Sequence, residues 1–170
     1  MIKYITSLIG VFLFVSSYAQ YDISVKVDGL SCNDVLLLAN HFGDKQYLRD
    51  TSECENGTFH FRGDTKLESG VYLVVLPKKN YFEILVSSDE NQMKYSFTTD
   101  TTLKPGVMKV IGSKENDLFY EFNRFAIGKS LQASELSKKM TAEEDEKKKE
   151  DLKTELTGIG KRVSAKRNEI

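Results

Sequence analysis

The chain has no tryptophan and, among its 170 residues, only two cysteines, two histidines and two prolines. Each shortage excludes something. Without tryptophan the broadest aromatic surface for stacking sugars is gone. Two histidines with no cysteine close by in sequence do not make a zinc site, which takes three or four ligands at short spacings. With 24 basic residues against 25 acidic ones, no surplus of charge draws the whole chain to nucleic acid or to an anionic membrane surface. Scarce proline and an ordinary 11 glycines exclude a fibrous or broadly disordered chain. No apolar run reaches the ~20 residues of a membrane span. The nucleophile elbow, the HExxH helix, the Walker loop and the dinucleotide fingerprint are all missing, and no pair of carboxylates stands out as acid and base. No catalytic residue, cofactor-binding residue, metal ligand or cofactor is therefore expected, and the chain reads as a non-enzyme.

What is present begins with MIKYITSLIGVFLFVSSYAQ. Lys3 supplies a charged start, an apolar stretch runs from about Ile5 to Val15, and Ser17 and Ala19 are the small residues ahead of a cut before Gln20. This pattern predicts a cleavable signal peptide over residues 1–19 and a periplasmic or secreted protein with no membrane anchor after cleavage. No cysteine follows the cut, so a lipobox is not predicted.

Export bears on Cys32 and Cys54, which stand 22 residues apart. That distance is wrong for a redox CxxC pair. An oxidising compartment favours a structural disulfide, worth about 3 kcal/mol in the chain-entropy model. Two separate thiols are the alternative, because spacing alone does not bring two Cα atoms within bonding range.

From Tyr21 to Ile111 the hydrophobic pattern has period two. Ile23, Val25 and Val27 alternate with Ser24, Lys26 and Asp28, which predicts a strand with one buried face. Val35 to Ala39 reads as a central strand, HFGDK as a turn, and Gln46 to Thr51 as the next strand. Asn56-Gly57 is a hairpin signal, since both residues tolerate positive φ. Phe59 and Phe61 then point one way and His60 and Arg62 the other. VYLVVL and YFEILV read as two buried strands joined by PKKN; Met93 to Thr98 and Val107 to Ile111 complete the set around Pro105-Gly106. The expected fold is mainly β, an antiparallel β-sandwich of about seven or eight strands followed by a helical C-terminal segment.

The period changes at Gly112-Ser113. Ser113 is placed to cap a helix with Glu115 and Asp117 in its first turn, where acidic groups suit the helix dipole. Leu118, Phe122 and Phe125, widened by Phe119 and Ala126, form an apolar stripe that predicts packing on the sandwich. The helix is expected to weaken near Gly128, and a second to start at Thr141, where Thr141 and Glu144 have capping-box spacing. Glu143, Glu144 and Asp145 precede Lys147, Lys148 and Lys149 by four residues, each an expected ion pair on a solvated face. Leu152, Leu156, Ile159 and Val163 leave a thin seam for one partner helix or a domain surface.

The remaining candidates are His41, beside a turn, and His60, on an outer strand face; neither has a partner nearby in sequence. Tyr72, Tyr81, Phe82 and Tyr95 fall on neighbouring strands, either as core or as an exposed row able to stack sugars or peptides.

Taken in order, the first strand, GTFHFRG, SGVYLVVLP, YFEILVSSD and VIGSKENDLFYEF resemble an N-terminal domain of unknown function. That domain precedes thioredoxin-like domains of the TlpA/ResA type in exported thiol-disulfide oxidoreductases of Gram-negative bacteria. The likeness covers about Ile23 to Phe122, and residues 113–170 look like the helical connector that follows in those proteins. In them a WCxxC motif supplies the low-pKa thiolate that attacks disulfides. It is missing here, and Cys32 and Cys54 do not inherit its role. The chain stops inside basic helical sequence, KRVSAKRNEI, which suggests a truncated connector. The expected organisation is a signal peptide (1–19), a β-sandwich accessory domain (20–112) and a helical connector (113–170). The resemblance implies a non-catalytic accessory or interaction domain whose partner is a thioredoxin-like domain or protein, with homodimerisation a further option. The alternative is a stand-alone secreted β-sandwich binding module for a sugar or peptide.

Overall fold

The computed structural model describes residues 19–43, 45–87 and 93–169; the leader expected over residues 1–19 lies outside them but for its last residue. Nine strands and two helices follow in order: β1 (Tyr21–Asp28), β2 (Leu37–Phe42), β3 (Lys45–Thr51), β4 (Glu53–Glu55), β5 (Thr58–Gly63), β6 (Gly70–Val75), β7 (Tyr81–Val86), β8 (Met93–Asp100), β9 (Lys109–Ile111), α1 (Lys114–Ala142) and α2 (Glu146–Glu169). They form a five-stranded sheet, β4-β5-β1-β8-β9, and a four-stranded sheet, β3-β2-β6-β7.

The alternation read from the sequence explains the core. Ile23, Val25, Phe59, Phe61, Tyr95 and Phe97 from the five-stranded sheet share one buried cluster with Leu38, Tyr72, Val74, Phe82 and Ile84 from the four-stranded one. Burying each such side chain stabilises by about 1.5–3 kcal/mol, which is why the period-two pattern dictates the fold here. Asn56 (φ 52°) and Gly57 (φ 79°) form the β4–β5 hairpin turn on positive φ.

Several expectations change. The strands are not wholly antiparallel, because β1 pairs with β8 in parallel along all eight residues, Tyr21 against Met93 through Asp28 against Asp100. Period-two alternation is the same in parallel and antiparallel neighbours, so strand direction was not encoded in it. The ninth strand is β4, three residues of sequence ECE, too short and polar to show a period. β2 starts later than expected and runs on through His41 and Phe42, so the turn is shorter than HFGDK.

The helical part also differs. α1 passes through Gly128 without a break, since one glycine costs only about 1 kcal/mol inside a long helix. Thr141 lies within α1 and its Oγ1 donates to the Ser137 carbonyl, so the expected capping box is not used. Asp145 caps α2 instead, its Oδ1 accepting from the Lys147 and Lys148 amides at 2.8 and 3.2 Å. Glu143, Glu144 and Asp145 precede α2, so their i, i+4 pairings do not form; Lys149 meets Glu146 and Lys153 meets Glu150. The two helices run antiparallel: Lys166 Nζ lies 2.9 Å from Glu121 Oε1, and Arg167 lies over the Phe122 ring.

Candidate functional site

The histidines singled out from the sequence fall on the outer faces of the two sheets, and the predicted cap Ser113 at the joint that carries the helices. Among the described residues no group of three or more His, Cys, Asp or Glu is placed to hold a metal, and no helix is long and apolar enough to cross a membrane.

The outer face of the five-stranded sheet is polar. Cross-strand register sets Asp22 between Arg62 and Lys94, and Ser24 between His60 and Ser96. His60, assigned no neighbour by sequence, therefore gains several. Its Nδ1 lies 3.4 Å from Asp22 Oδ1 and 3.0 Å from an Arg62 guanidinium nitrogen. Arg62 reaches on to Glu55, donating to Oε1 at 2.8 Å. This hydrogen bond and the guanidinium charge hold the Glu55 carboxyl below its ordinary range. A hollow of about 210 Å³ lies beside His60, between Asp22, Lys94 and Ile111. A single guanidinium is thus shared by the Asp22 and Glu55 carboxylates, and pairs this exposed contribute little to stability.

The outer face of the four-stranded sheet is the opposite. Alternation turns Leu37, Ala39 and His41 of β2 outward, then Val71, Leu73 and Val75 of β6, then Tyr81, Glu83 and Leu85 of β7. Leu48 and Gln46 of β3 join them. Leu37, Val71, Tyr81 and Leu48 remain 37, 43, 50 and 61% exposed, while Leu73 at their centre is buried. VYLVVL and YFEILV read as two buried strands; β6 buries Tyr72, Leu73 and Val74 in succession, whereas β7 buries Phe82, Ile84 and Val86 and leaves Tyr81 and Glu83 exposed. His41 sits on this face, with Gln46 Nε2 3.4 Å from its Nε2.

Of the aromatic candidates, Tyr72, Phe82 and Tyr95 are buried in the core, and only Tyr81 is exposed. The core reading holds for these three, and the alternative, an exposed stacking row, is not formed. Cys32 and Cys54 are bonded, with an S–S distance of 2.07 Å and Cα atoms 5.3 Å apart. The bond ties the connection between β1 and β2 to edge strand β4.

The joint lies in GSKEN and the residues after it. Gly112 has φ +88°, and a Cβ there would collide with the Lys94 carbonyl oxygen on β8. Ser113 caps α1, its Oγ accepting from the Asn116 amide at 3.3 Å and the Asn116 side chain at 2.8 Å. Asn116 is wholly buried at the free edge of β7. Its Oδ1 accepts from the Leu85 amide and its Nδ2 donates to the Leu85 carbonyl, both at 2.7 Å. One side-chain amide thereby takes the part that a neighbouring strand's peptide group plays in a sheet. One turn later the Tyr120 hydroxyl donates to the Glu83 carbonyl at 2.6 Å, and burial raises its pKa above the ordinary value. Arg124 then donates to the Met108 carbonyl at 3.2 Å, which fastens the helix to the approach of β9.

The sandwich-facing stripe is therefore Asn116 and Tyr120, with Phe119 packed on the core. The expected stripe of Leu118, Phe122 and Phe125 lies a third of a turn or more away, on the side of α2. A lone buried asparagine has no periodic signature, so Asn116 does not stand out in the sequence; the signal available was GSKEN standing immediately after a strand.

No curated protein and no solved structure matches the chain. A match over residues 21–119, the sandwich and the first turns of α1, places the chain in the family described as Domain of unknown function (DUF4369).

Proposed function

We propose that this is a non-catalytic accessory and interaction domain of an exported, thioredoxin-like thiol-disulfide oxidoreductase, acting in the periplasm. The observation that carries the reading is the apolar outer face of the four-stranded sheet on a domain whose other outer face is polar. Exposed apolar patches of this kind mark protein interfaces more often than chance. The joint adds to it: a helical arm locked to the sheet edge by Asn116 and Tyr120 holds whatever it meets at a set distance from that face. The thioredoxin-like partner comes from the ordered motif resemblance, and the disulfide between Cys32 and Cys54 suits an oxidising compartment.

The bonded cysteines come from separate elements 22 residues apart, without the CxxC arrangement that tunes an exchange thiolate. The purified chain is therefore expected to leave insulin disulfides intact in the presence of a dithiol reductant. Catalysis of that reduction would overturn the non-catalytic reading. A WCxxC segment read in frame beyond the Ile170 codon, or carried by a protein that co-purifies with the chain, supports the thioredoxin-like partner; finding neither overturns it.

A further inference from the structure

The sandwich starts at the very residue after the cut expected before Gln20. β1 opens at Tyr21 and is a central strand of its sheet, paired with β5 on one side and β8 on the other. Tyr21 already belongs to the core: it lies in the buried cluster, and its hydroxyl donates to Asp50 Oδ2, on β3 of the other sheet, at 2.8 Å. Gln20 is exposed, and its backbone nitrogen donates to the Gly63 carbonyl at the end of β5 at 2.6 Å. Once a leader is removed before Gln20, that nitrogen is the α-amine of the mature chain.

From this placement we infer that Gln20 is a modification site, cyclised to pyroglutamate at the head of the central strand. The inference deepens the exported-domain reading and rests on it, since only cleavage before Gln20 frees the amine. An unprotonated amine that donates one N–H to the Gly63 carbonyl keeps its lone pair. The Gln20 side chain has no hydrogen-bond partner among the described residues, so it is free to fold back onto that lone pair. Both reacting groups sit on one residue, which makes the step intramolecular. The amine nitrogen attacks Cδ: the N–Cδ bond forms, the Cδ–Nε2 bond breaks, one proton passes from the amine to Nε2, and ammonia leaves. No oxidant, reductant or co-reactant enters. The product is a neutral lactam without the α-ammonium that an aminopeptidase has to bind. Chain termini are where trimming concentrates, and a cut before Gln20 leaves no tail ahead of β1. Loss of Gln20 and Tyr21 would take a core side chain and its bond to Asp50 out of the sandwich.

The test is the intact mass of the full chain, expressed with its own leader in a Gram-negative host and recovered from fractionated cells. The expected mass is that of residues 20–170 with the disulfide formed, less one molecule of ammonia. Fragmentation of the N-terminal peptide should place that loss on residue 20, and an amine-reactive ester at neutral pH should leave the terminus unlabelled. Gln20→Ala should be cut at the same place, show no loss and take the label. Its far-UV circular dichroism should match the parent, because the position is exposed. A parent beginning at Gln20 at full mass, with a terminus that takes the label, overturns the inference and leaves export standing. A loss of ammonia that maps to Asn56-Gly57, where a succinimide would form, does the same, as does a mature chain that starts at any other residue. A chain recovered with its leader intact overturns both the inference and the export reading.

Discussion

The sandwich and the helical hairpin are held by different physics. The two sheets enclose a continuous cluster in which Ile23, Val25, Phe59, Phe61 and Phe97 are inaccessible to solvent. Away from the joint, the hairpin buries only Leu136 and Ile159 among its described residues. Two sheets facing one another cover each other's apolar sides, whereas two helices share one narrow seam and leave the rest wet. The difference teaches that the sandwich can set its own stability, while the placement of the hairpin depends on a few polar bonds at the joint. Those bonds connect α1 to both sheets: to β7 of the four-stranded sheet through Asn116 and Tyr120, and to the β9 end of the five-stranded sheet through Arg124.

Substitutions in the two regions should separate accordingly. Phe59→Ala removes an inaccessible aromatic ring from the middle of the core and is expected to cost about 4 kcal/mol in urea unfolding. A cost below about 1 kcal/mol would break the distinction, since the sandwich would not be the stable unit. Replacing both Cys32 and Cys54 by Ala should cost about 3 kcal/mol, measured against the oxidised parent, and should fall entirely on the sandwich.

Asn116→Ala strands a buried N–H and C=O of Leu85 and should cost about 2 kcal/mol. Its sharper signature is in hydrogen exchange: amides of α1 near the joint should exchange faster while β1 and β5 keep their protection. Ile159→Ala should cost about 1 to 2 kcal/mol, with lost helical signal and no change in the sandwich.

Raising the pH gives the gentlest test. Burial, followed by the Asp50 contact, raises the Tyr21 pKa, and burial raises that of Tyr120. A hydroxyl whose folded pKa is raised favours the native state fully below its unfolded value of about 10 and loses that contribution as pH rises through the folded value. The melting temperature should therefore be flat from neutrality to about pH 9 and fall above about pH 10. Tyr120→Phe should flatten the alkaline fall, because one of the raised hydroxyls is gone.

The sandwich was legible from side-chain period wherever strands are long and one-faced. β1 and β5 show it: Ile23, Val25, Phe59 and Phe61 are all in the core. β4 was illegible because three residues hold no period, and the apolar runs of β6 and β7 did not show that β6 buries residues in succession while β7 buries alternate ones. The helix boundary near Gly128 failed because a single glycine carries less weight than the good helix formers around it. The candidate site was harder to read. His60 acquires Asp22 and Arg62 through pairing of β1 with β5, a contact made across 38 positions of sequence.

By itself the sequence determined the β-rich class, the Asn56-Gly57 hairpin, the Ser113 cap and the inward direction of the core aromatics, because each rests on local backbone preference or on side-chain period. Only the tertiary structure decided that β1 and β8 run parallel, that Cys32 meets Cys54, that Asn116 completes the edge of β7, and that one outer face is left apolar. These are relations between segments distant along the chain. A local pattern fixes which way a side chain points, but what it points at depends on how the sheets stack and in what order their strands lie.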